Sequence, residues 1–261
     1  MFAVACKRIA TVAAKQEARA FSMLAGSFKS AAPTCQQCIP SSKNCNLHGH
    51  VCGVSCGCKA RKTMTARYMY TGHDISTPSK VLETLEEGNN RFVKGEIMAP
   101  NRNMERVKEL QGGQAPFAAF LSCADSRVPV EIVFDQGFGD VFICRIAGNI
   151  VNTETIGSLE FGTAVLGAKV LYVLGHSSCG AVKATMAGAA VPGVISSLYY
   201  RIKPACDHAH GDLDKAIEEN VKLQVNQLAV SPVLKELVEQ GKLEIVGGVY
   251  DLVTGKVNRV C

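Results

Sequence analysis

Three side chains of types that bind zinc stand just after two short apolar runs of the sequence. Cys123 follows the run 116–121, and His176 and Cys179 follow the run 170–174. Short continuous apolar runs are typical of buried parallel strands, and ligand sites in open α/β sheets collect at the carboxyl ends of such strands. Two thiolates and one imidazole delivered there predict a three-ligand zinc site whose fourth position is left for water.

The number of protein ligands separates catalytic zinc from structural zinc. Structural sites are closed by four protein ligands, usually from paired Cys-x-x-Cys motifs, whereas catalytic sites keep an open position. No second such motif lies near Cys123, and the three-residue spacing of His176 and Cys179 lets one turn of chain aim both side chains at one ion. Zinc held in this way can lower the pKa of its water from about 15.7 toward ~7.

An acidic and a basic residue lie close to Cys123 in the sequence. Asp125 and Arg127 are two residues apart, so on an extended or turning segment their side chains project alike and can pair with each other. This pairing fixes Asp125 as an acceptor that orients the zinc-bound water.

The pattern Cys-x-Asp-x-Arg, followed about fifty residues later by His-x-x-Cys-Gly, resembles the β-class carbonic anhydrases over roughly residues 78–260. The resemblance implies that Cys123, His176 and Cys179 hold one Zn²⁺ per subunit, with Asp125 and Arg127 as the orienting pair. It implies reversible hydration of carbon dioxide to bicarbonate and a proton by a zinc-bound hydroxide. The implied fold is an α/β domain whose central, mostly parallel sheet is flanked by helices, with an N-terminal helical arm.

The resemblance also suggests pocket residues and an assembly. Gln114 falls where plant-like members carry a substrate-binding glutamine, and Phe142, Ala147 and Phe161 fall where they line the carbon dioxide pocket, partly from the neighbouring subunit. Ala147 replaces a larger aliphatic residue, and Phe161 a tyrosine. A homodimer or a higher homo-oligomer is therefore expected. Members with a non-catalytic bicarbonate site carry a tryptophan where this chain has Phe120, so the open form with Asp125 paired to Arg127 is expected, and closure of Asp125 onto zinc at low pH stays possible.

The basic character of the chain lies in its first quarter. The net charge is +5 overall, but residues 1–66 hold nine Lys or Arg and one acid, whereas the rest holds 19 basic and 22 acidic residues. Such a distribution argues against nucleic acid as a partner of the folded part. Residues 2–21 can form a basic, acid-poor amphipathic helix, which predicts a transit peptide to the mitochondrion, with the chloroplast stroma as the alternative.

Six of the twelve cysteines lie between Cys35 and Cys58. This stretch is rich in Ser, Gly and Lys, so it predicts no packed core. It could bind metal or respond to redox state, or it could be part of a removable leader. The predicted division is a leader over residues 1–66 and a zinc-dependent domain over 67–261.

The remaining sequence alternates between helical and strand patterns, as in an α/β domain with a parallel sheet. His208 and His210 are predicted in a polar loop without a metal, and no apolar run approaches the length of a membrane span. The predicted elements are a helix from Pro78 to Gly95, helix 103–110, strand 116–122, helix 129–134, strand 140–146, helix 153–167, strand 169–174, a helix opening at Cys179, helices 194–203, 213–228 and 232–239, and strands 242–251 and 256–260.

Two other functions are compatible with these residues. The same zinc site could hydrolyse carbonyl sulfide or carbon disulfide, because the nucleophile would attack any linear heterocumulene. The chain could instead be a non-catalytic zinc module, although a structural site has no need of the Asp125 and Arg127 pair.

Overall fold

A computed structural model describes residues 74–261 of the chain. The predictions for the leader, for the Cys35 to Cys58 stretch and for the boundary at residue 66 lie outside these residues. The helices of the described part are α1 (Pro78–Lys94), α2 (Met104–Glu109), α3 (Val130–Val133), α4 (Thr153–Glu160), α5 (Gly180–Ala187), α6 (Ser196–His208), α7 (Leu213–Ala229) and α8 (Pro232–Glu239). The strands are β1 (Ala118–Ser122), β2 (Val141–Arg145), β3 (Val170–His176), β4 (Glu244–Tyr250) and β5 (Val257–Arg259).

These strands form one sheet in the order β2-β1-β3-β4-β5. The first four run parallel to one another, and β5 pairs antiparallel with β4. The mostly parallel sheet predicted from the alternating pattern is therefore confirmed. Every residue of β1 and β3 is buried, which explains why both strands read as continuous apolar runs rather than alternating ones.

Helices cover both faces of the sheet. On one face, α1 and α3 pack against Phe120, Tyr172 and neighbouring side chains. On the other face, α4, α7 and α8 pack against those side chains of β1 and β3 that point away from the first face. A third apolar cluster, from α5, α6 and the start of α7, lies around Cys123 and Cys179. Packed apolar side chains therefore surround the carboxyl edge of the parallel strands.

Local sequence explains where the helices begin and end. Helix α1 begins at Pro78 because the Thr77 side chain caps it, and it ends at Gly95, which adopts a left-handed conformation with φ of 74°. Both boundaries agree with the prediction. The predicted helix 153–167 also forms, but its last part, Phe161–Val165, is a π-helix. A π-turn of this kind shifts the register of the side chains that follow it.

One helix end was predicted wrongly. The predicted helix 194–203 ends just before Pro204, a residue that lacks the N–H that an internal helix position uses. Helix α6 instead starts at Ser196 and runs through Pro204 to His208, so His208 ends a helix rather than lying in a loop. The residues after the proline, Ala205 and Cys206, are buried, and this packing offsets the lost hydrogen bond.

Two buried carboxylates fasten the segment between α1 and α2. Asp135 accepts backbone hydrogen bonds from residues 98–99 and pairs with Arg91 at 2.8 Å. Asp140 accepts from the Asn101 side-chain amide at 2.9 and 3.1 Å. Burial raises the pKa of the Asp140 carboxyl above its ordinary value. Within residues 74–261, no helix is both long and apolar enough to cross a membrane.

Candidate metal centre

The three predicted zinc ligands come together at the carboxyl edge of the sheet. Cys123 follows the last residue of β1, His176 is the last residue of β3, and Cys179 is the N-cap of α5. Their sulfur and ring-nitrogen atoms all lie within 4.8 Å of one another. All three side chains are buried, at 4, 0 and 1% exposure respectively. One ion can therefore reach all three ligands without a rearrangement of the backbone.

The His176 ring is oriented by its backbone. Its Nδ1 lies 2.9 Å from the Ser177 carbonyl oxygen, which can only accept, so Nδ1 carries the proton and Nε2 carries the lone pair. The buried Nε2 atom has no hydrogen-bond partner among the described residues. Buried polar atoms are normally satisfied, so this free lone pair indicates a missing electrophile. A divalent cation with a preference for sulfur and nitrogen fits the group, and zinc is such a cation.

The two cysteines perturb each other's pKa. Contact with Cys179 lowers the pKa of the Cys123 thiol below its ordinary value, while the same contact and burial raise the pKa of Cys179. The backbone N–H of Gly148 also donates to the Cys123 sulfur at 3.3 Å. The lowered pKa favours the thiolate of Cys123, which is the form of cysteine that binds a metal.

Asp125 is held by Arg127 as the sequence predicts. The guanidinium donates from Nε to Oδ1 at 2.9 Å and from Nη2 to Oδ2 at 2.8 Å, and the Arg127 backbone N–H donates to Oδ1 at 2.9 Å. These donors hold the pKa of Asp125 far below its usual range, so the carboxylate is ionised at neutral pH. Oδ2 lies 3.8 Å from His176 Nε2, which puts the carboxylate at the rim of the ligand group.

Arg145 is a residue of the site that the sequence did not suggest. It ends β2, and its guanidinium donates to the backbone carbonyl oxygens of Cys123, at 2.9 Å, and of Asp125, at 2.5 Å. This bridge fixes the segment that carries both a metal ligand and the acceptor carboxylate. A charged residue that ends an otherwise apolar parallel strand was the available signal.

The loop between His176 and Cys179 adopts a strained conformation. Ser178 has a φ of 56°, in the left-handed region that few residues other than glycine adopt. The chain beside it is tied to the end of β4, because the Ser177 N–H donates to the Tyr250 carbonyl at 2.9 Å and the Ser177 hydroxyl accepts from the Leu252 N–H at 2.9 Å. These contacts hold the loop in the shape that turns both ligands toward one point.

The four predicted pocket residues lie in two different places. Ala147 opens the short turn after β2 whose next residue, Gly148, contacts the Cys123 sulfur. Phe142 lies near the amino end of β2, three residues from the edge that carries the ligands, which is about 10 Å along the strand. Phe161 contacts Phe142, with ring centroids 6.4 Å apart, and Gln114 is exposed ahead of the amino end of β1. These three therefore do not line the ligand group of their own chain.

The comparisons with known proteins agree with this geometry. Residues 118–257, more than half of the chain, match the family model described as carbonic anhydrase. The chain belongs to the β-class carbonic anhydrases. The matched segment of this carbonic anhydrase includes all three ligand residues, Asp125, Arg127 and Arg145. The β class consists of zinc enzymes, so the ligand group and the cofactor are consistent with each other.

Named relatives place this carbonic anhydrase among bacterial and plant enzymes. Carbonic anhydrase 2 of Mycobacterium tuberculosis is 35% identical over 190 residues, which is 69% of this chain and 92% of the relative. The Arabidopsis thaliana protein "Beta carbonic anhydrase 6, mitochondrial" is 29% identical, over 64% of this chain and 64% of the relative. A second Arabidopsis thaliana protein, "Beta carbonic anhydrase 5, chloroplastic", is 28% identical, over 66% of this chain and 63% of the relative. A solved structure from a study of two tetrameric β-carbonic anhydrases of Sordaria macrospora shares the fold, with a TM-score of 0.57 and 24% identity over 69% of this chain and 96% of that one.

Proposed function

We propose that this chain hydrates carbon dioxide reversibly to bicarbonate and a proton, with zinc held by Cys123, His176 and Cys179. The observation that carries the proposal is the buried group of two sulfurs and one unpartnered imidazole nitrogen, with a clamped carboxylate at its rim. The family match supports the same chemistry. A heterocumulene hydrolase and a non-catalytic zinc module are not favoured, because the matched family and the named relatives are carbonic anhydrases.

Some residues of the chain hold the metal, and others orient the attacking water. When bound, zinc acts as a Lewis acid that brings the pKa of a water molecule toward about 7. The ionised Asp125 carboxylate would accept a hydrogen bond at Oδ2 from the attacking water and so direct an oxygen lone pair at the carbon atom of the substrate. Arg127 keeps Asp125 ionised and stationary through its two parallel hydrogen bonds. Orientation of this kind removes a large part of the entropic barrier.

Carbon dioxide is linear and apolar, so its pocket needs apolar walls and a single polar contact. We assign Ala147 to the pocket of its own chain, and Gln114, Phe142 and Phe161 to the pocket of a neighbouring subunit. Their position toward the amino ends of the strands supports this division, because they are too far from the ligands of their own chain. The Gln114 amide would donate to a substrate oxygen.

This division requires an assembly of at least two chains, and we propose a homodimer or a higher homo-oligomer. Large apolar side chains are exposed on the described part, among them Met104, Phe138, Phe161 and Val165 at 48 to 66% exposure. Exposed apolar groups of this size are typical of surfaces that a partner covers. The Sordaria macrospora enzymes that share the fold are tetrameric, which supports the same view.

We also propose that residues 1–66 direct residues 67–261 to an organelle, the mitochondrion in the first place. The basic, acid-poor leader supports this proposal. The Arabidopsis relatives include one mitochondrial and one chloroplastic protein, so the chloroplast stroma is the alternative destination. A fluorescent reporter carrying residues 1–66 in plant cells tests the proposal, and a reporter that remains in the cytosol contradicts both destinations.

The proposed activity is tested by stopped-flow hydration of carbon dioxide with the purified full chain, beside carbonyl sulfide hydrolysis at equal enzyme concentration. We expect catalysed hydration and no more than slow hydrolysis of carbonyl sulfide. Replacement of the ligand in Cys179→Ser is expected to abolish hydration, whereas Cys261→Ser, an exposed cysteine outside the site, is expected to leave it unchanged. A zinc-loaded wild-type protein without hydration activity would refute the proposal.

A further inference from the structure

Two buried amide side chains of α7 hold the turn that follows β2. Asn220 and Gln224 lie one helical turn apart, at 1 and 0% exposure. Asn220 Nδ2 donates to the Gly148 carbonyl oxygen at 2.9 Å, and Gln224 Oε1 accepts from the Val151 N–H at 2.8 Å. Gln224 Nε2 donates to Asn220 Oδ1 at 3.0 Å, which fixes the orientation of both amides. Every nitrogen and oxygen atom of the two amides thus has a partner, and a buried network of this kind is rigid.

The turn that these amides hold also contacts a metal ligand. Gly148 accepts the Asn220 hydrogen bond at its carbonyl, and its own N–H donates to the Cys123 sulfur at 3.3 Å. The turn is costly to form at Asn149, which has a φ of 43° although it is not glycine, whereas Gly148 adopts its φ of 72° without a steric cost. A backbone in this conformation persists only where its surroundings determine it, and Asn220 supplies a fixed partner.

The close approach of α7 to the sheet explains how short side chains reach the turn. A Cβ atom at Gly175 of β3 would lie 2.6 Å from the Val221 side chain, and one at Gly247 of β4 would lie 2.5 Å from it. Glycine at both positions therefore lets α7 lie directly on the strands. The residue before Val221 is Asn220, which this approach brings to the carboxyl edge beside the turn.

We propose that Asn220 and Gln224 are positioning residues of the metal centre, which aim the Gly148 N–H at the Cys123 sulfur and so set the charge that this sulfur donates to the metal. The proposal rests on the zinc site of the proposed function. A hydrogen bond to a ligand thiolate withdraws electron density from the sulfur, and partners outside the ligand shell typically change metal affinity 10- to 100-fold. Neither amide touches the substrate or the ligands, so their effect passes through the turn.

The test compares two buried asparagines in the full chain. Asn220→Leu removes the link to the turn, and Asn89→Leu is the matched control. Asn89 is also buried, and its Nδ2 donates to two backbone carbonyl oxygens, at 3.1 and 2.9 Å, on the far face of the sheet. Each protein is loaded with Co²⁺ in place of zinc, and the sulfur-to-cobalt charge-transfer band is recorded together with zinc affinity by chelator competition. Cysteines of the leader contribute equally to all variants and cancel in the difference spectra.

We expect Asn220→Leu to shift the charge-transfer band to longer wavelength and to weaken zinc binding about tenfold. The reason is that the turn loses its hydrogen bond from Asn220, and the Cys123 sulfur then loses its hydrogen bond from the Gly148 N–H. Asn89→Leu is expected to lower the unfolding temperature without moving either quantity. Gln224→Met keeps the length of the side chain and is the second variant should Asn220→Leu fail to fold. It is expected to shift the charge-transfer band in the same direction by a smaller amount.

Three results would overturn the proposal. Identical bands and affinities in Asn220→Leu, Gln224→Met and wild type would show that the amides support only the fold. Equal changes in Asn89→Leu would show that any loss of stability produces the effect. A wild-type chain that binds no metal through Cys123 would overturn the proposed function as well, and the wild-type Co²⁺ spectrum distinguishes that case.

Discussion

Replacement of Asp125 by asparagine separates orientation of the nucleophile from metal binding. Asp125→Asn keeps the shape of the side chain but turns one acceptor oxygen into an NH₂ group. That group would face the Arg127 donors, which now reach the carboxylate at 2.8 and 2.9 Å. Two donors cannot bond to each other, so the clamp opens and the oriented acceptor at the rim of the metal centre is lost.

The expected loss of activity is much larger than the expected loss of stability. Misplacement of a reacting group can cost about 10² in rate, so we expect kcat/KM to fall about 100-fold, equivalent to about 2.7 kcal/mol at 1.36 kcal/mol per tenfold change. The Arg127 side chain is 55% exposed, so solvent screens the ion pair and its contribution to folding is small. We therefore expect an unfolding temperature within about 3 °C of wild type.

The assay combines stopped-flow hydration, zinc content and thermal unfolding on the same preparations. Arg127→Lys is expected to give an intermediate loss of about tenfold, because a single ammonium group cannot form two parallel hydrogen bonds. Asp207→Asn is the control, since it weakens an exposed ion pair outside the site, in which Lys203 Nζ lies 2.7 Å from Asp207 Oδ1. It is expected to leave kcat/KM unchanged.

Retention of more than half of the wild-type kcat/KM by Asp125→Asn at full zinc occupancy would refute the orienting role of Asp125. Loss of zinc in proportion to activity would also refute it, because Asp125 would then act as a ligand. Loss of activity together with collapse of the fold would mean that the pair is structural.

Three further predictions concern the scaffold. The pKa of the buried Asp140 is raised, so its protonated form favours the fold below about pH 3.9 and that contribution is lost as pH rises through the folded value. We therefore expect wild type to lose stability relative to Asp140→Asn between pH 3.5 and pH 7, measured by denaturant unfolding. Gly175→Ala should cost about 1–3 kcal/mol, because its Cβ would overlap Val221, and part of the loss should return in combination with Val221→Ala. Ser178→Gly should raise the free energy of unfolding by about 0.5 kcal/mol, because it relieves a φ of 56° at some cost in the entropy of the unfolded chain.

Each of these predictions has an outcome that contradicts it. A constant difference between wild type and Asp140→Asn across the pH range would mean that burial does not perturb the carboxyl. Strictly additive losses in the Gly175 and Val221 double variant would exclude a direct overlap. For the loop, Ser197→Gly near the start of α6 is the control, expected to lose roughly 0.5–1 kcal/mol. A loss at Ser178 as large as at Ser197 would mean that the loop is not strained.

The sequence predicts the sheet and the grouping of Cys123, His176 and Cys179 well, because both rest on strong local patterns. β1 and β3 are buried on two faces, so each reads as an unbroken apolar run and identifies its own carboxyl end. The ligands follow directly from those ends. The helix that contains Pro204 was cut short, because a local rule about proline cannot weigh the tertiary packing of the residues after it.

Contacts between distant segments could not be predicted from local pattern. Asn220 and Gln224 are polar residues in an amphipathic helix, and such residues usually face solvent, but the approach of α7 to Gly175 and Gly247 buries them. Arg145 likewise gains its role from carbonyl groups about twenty residues earlier in the chain. The assignments of Gln114, Phe142 and Phe161 depend on a neighbouring subunit and remain predictions.

The central claim is that a metal held by Cys123, His176 and Cys179 makes this chain a carbon dioxide hydratase. The most direct measurement removes the metal from the full-length protein with a chelator and follows carbon dioxide hydration as zinc is returned. We predict hydration no faster than the uncatalysed rate in the metal-free protein, and a rise that follows zinc occupancy in wild type but is absent in Cys179→Ser. Full activity without metal, or equal activity of wild type and Cys179→Ser at each zinc concentration, would contradict the claim.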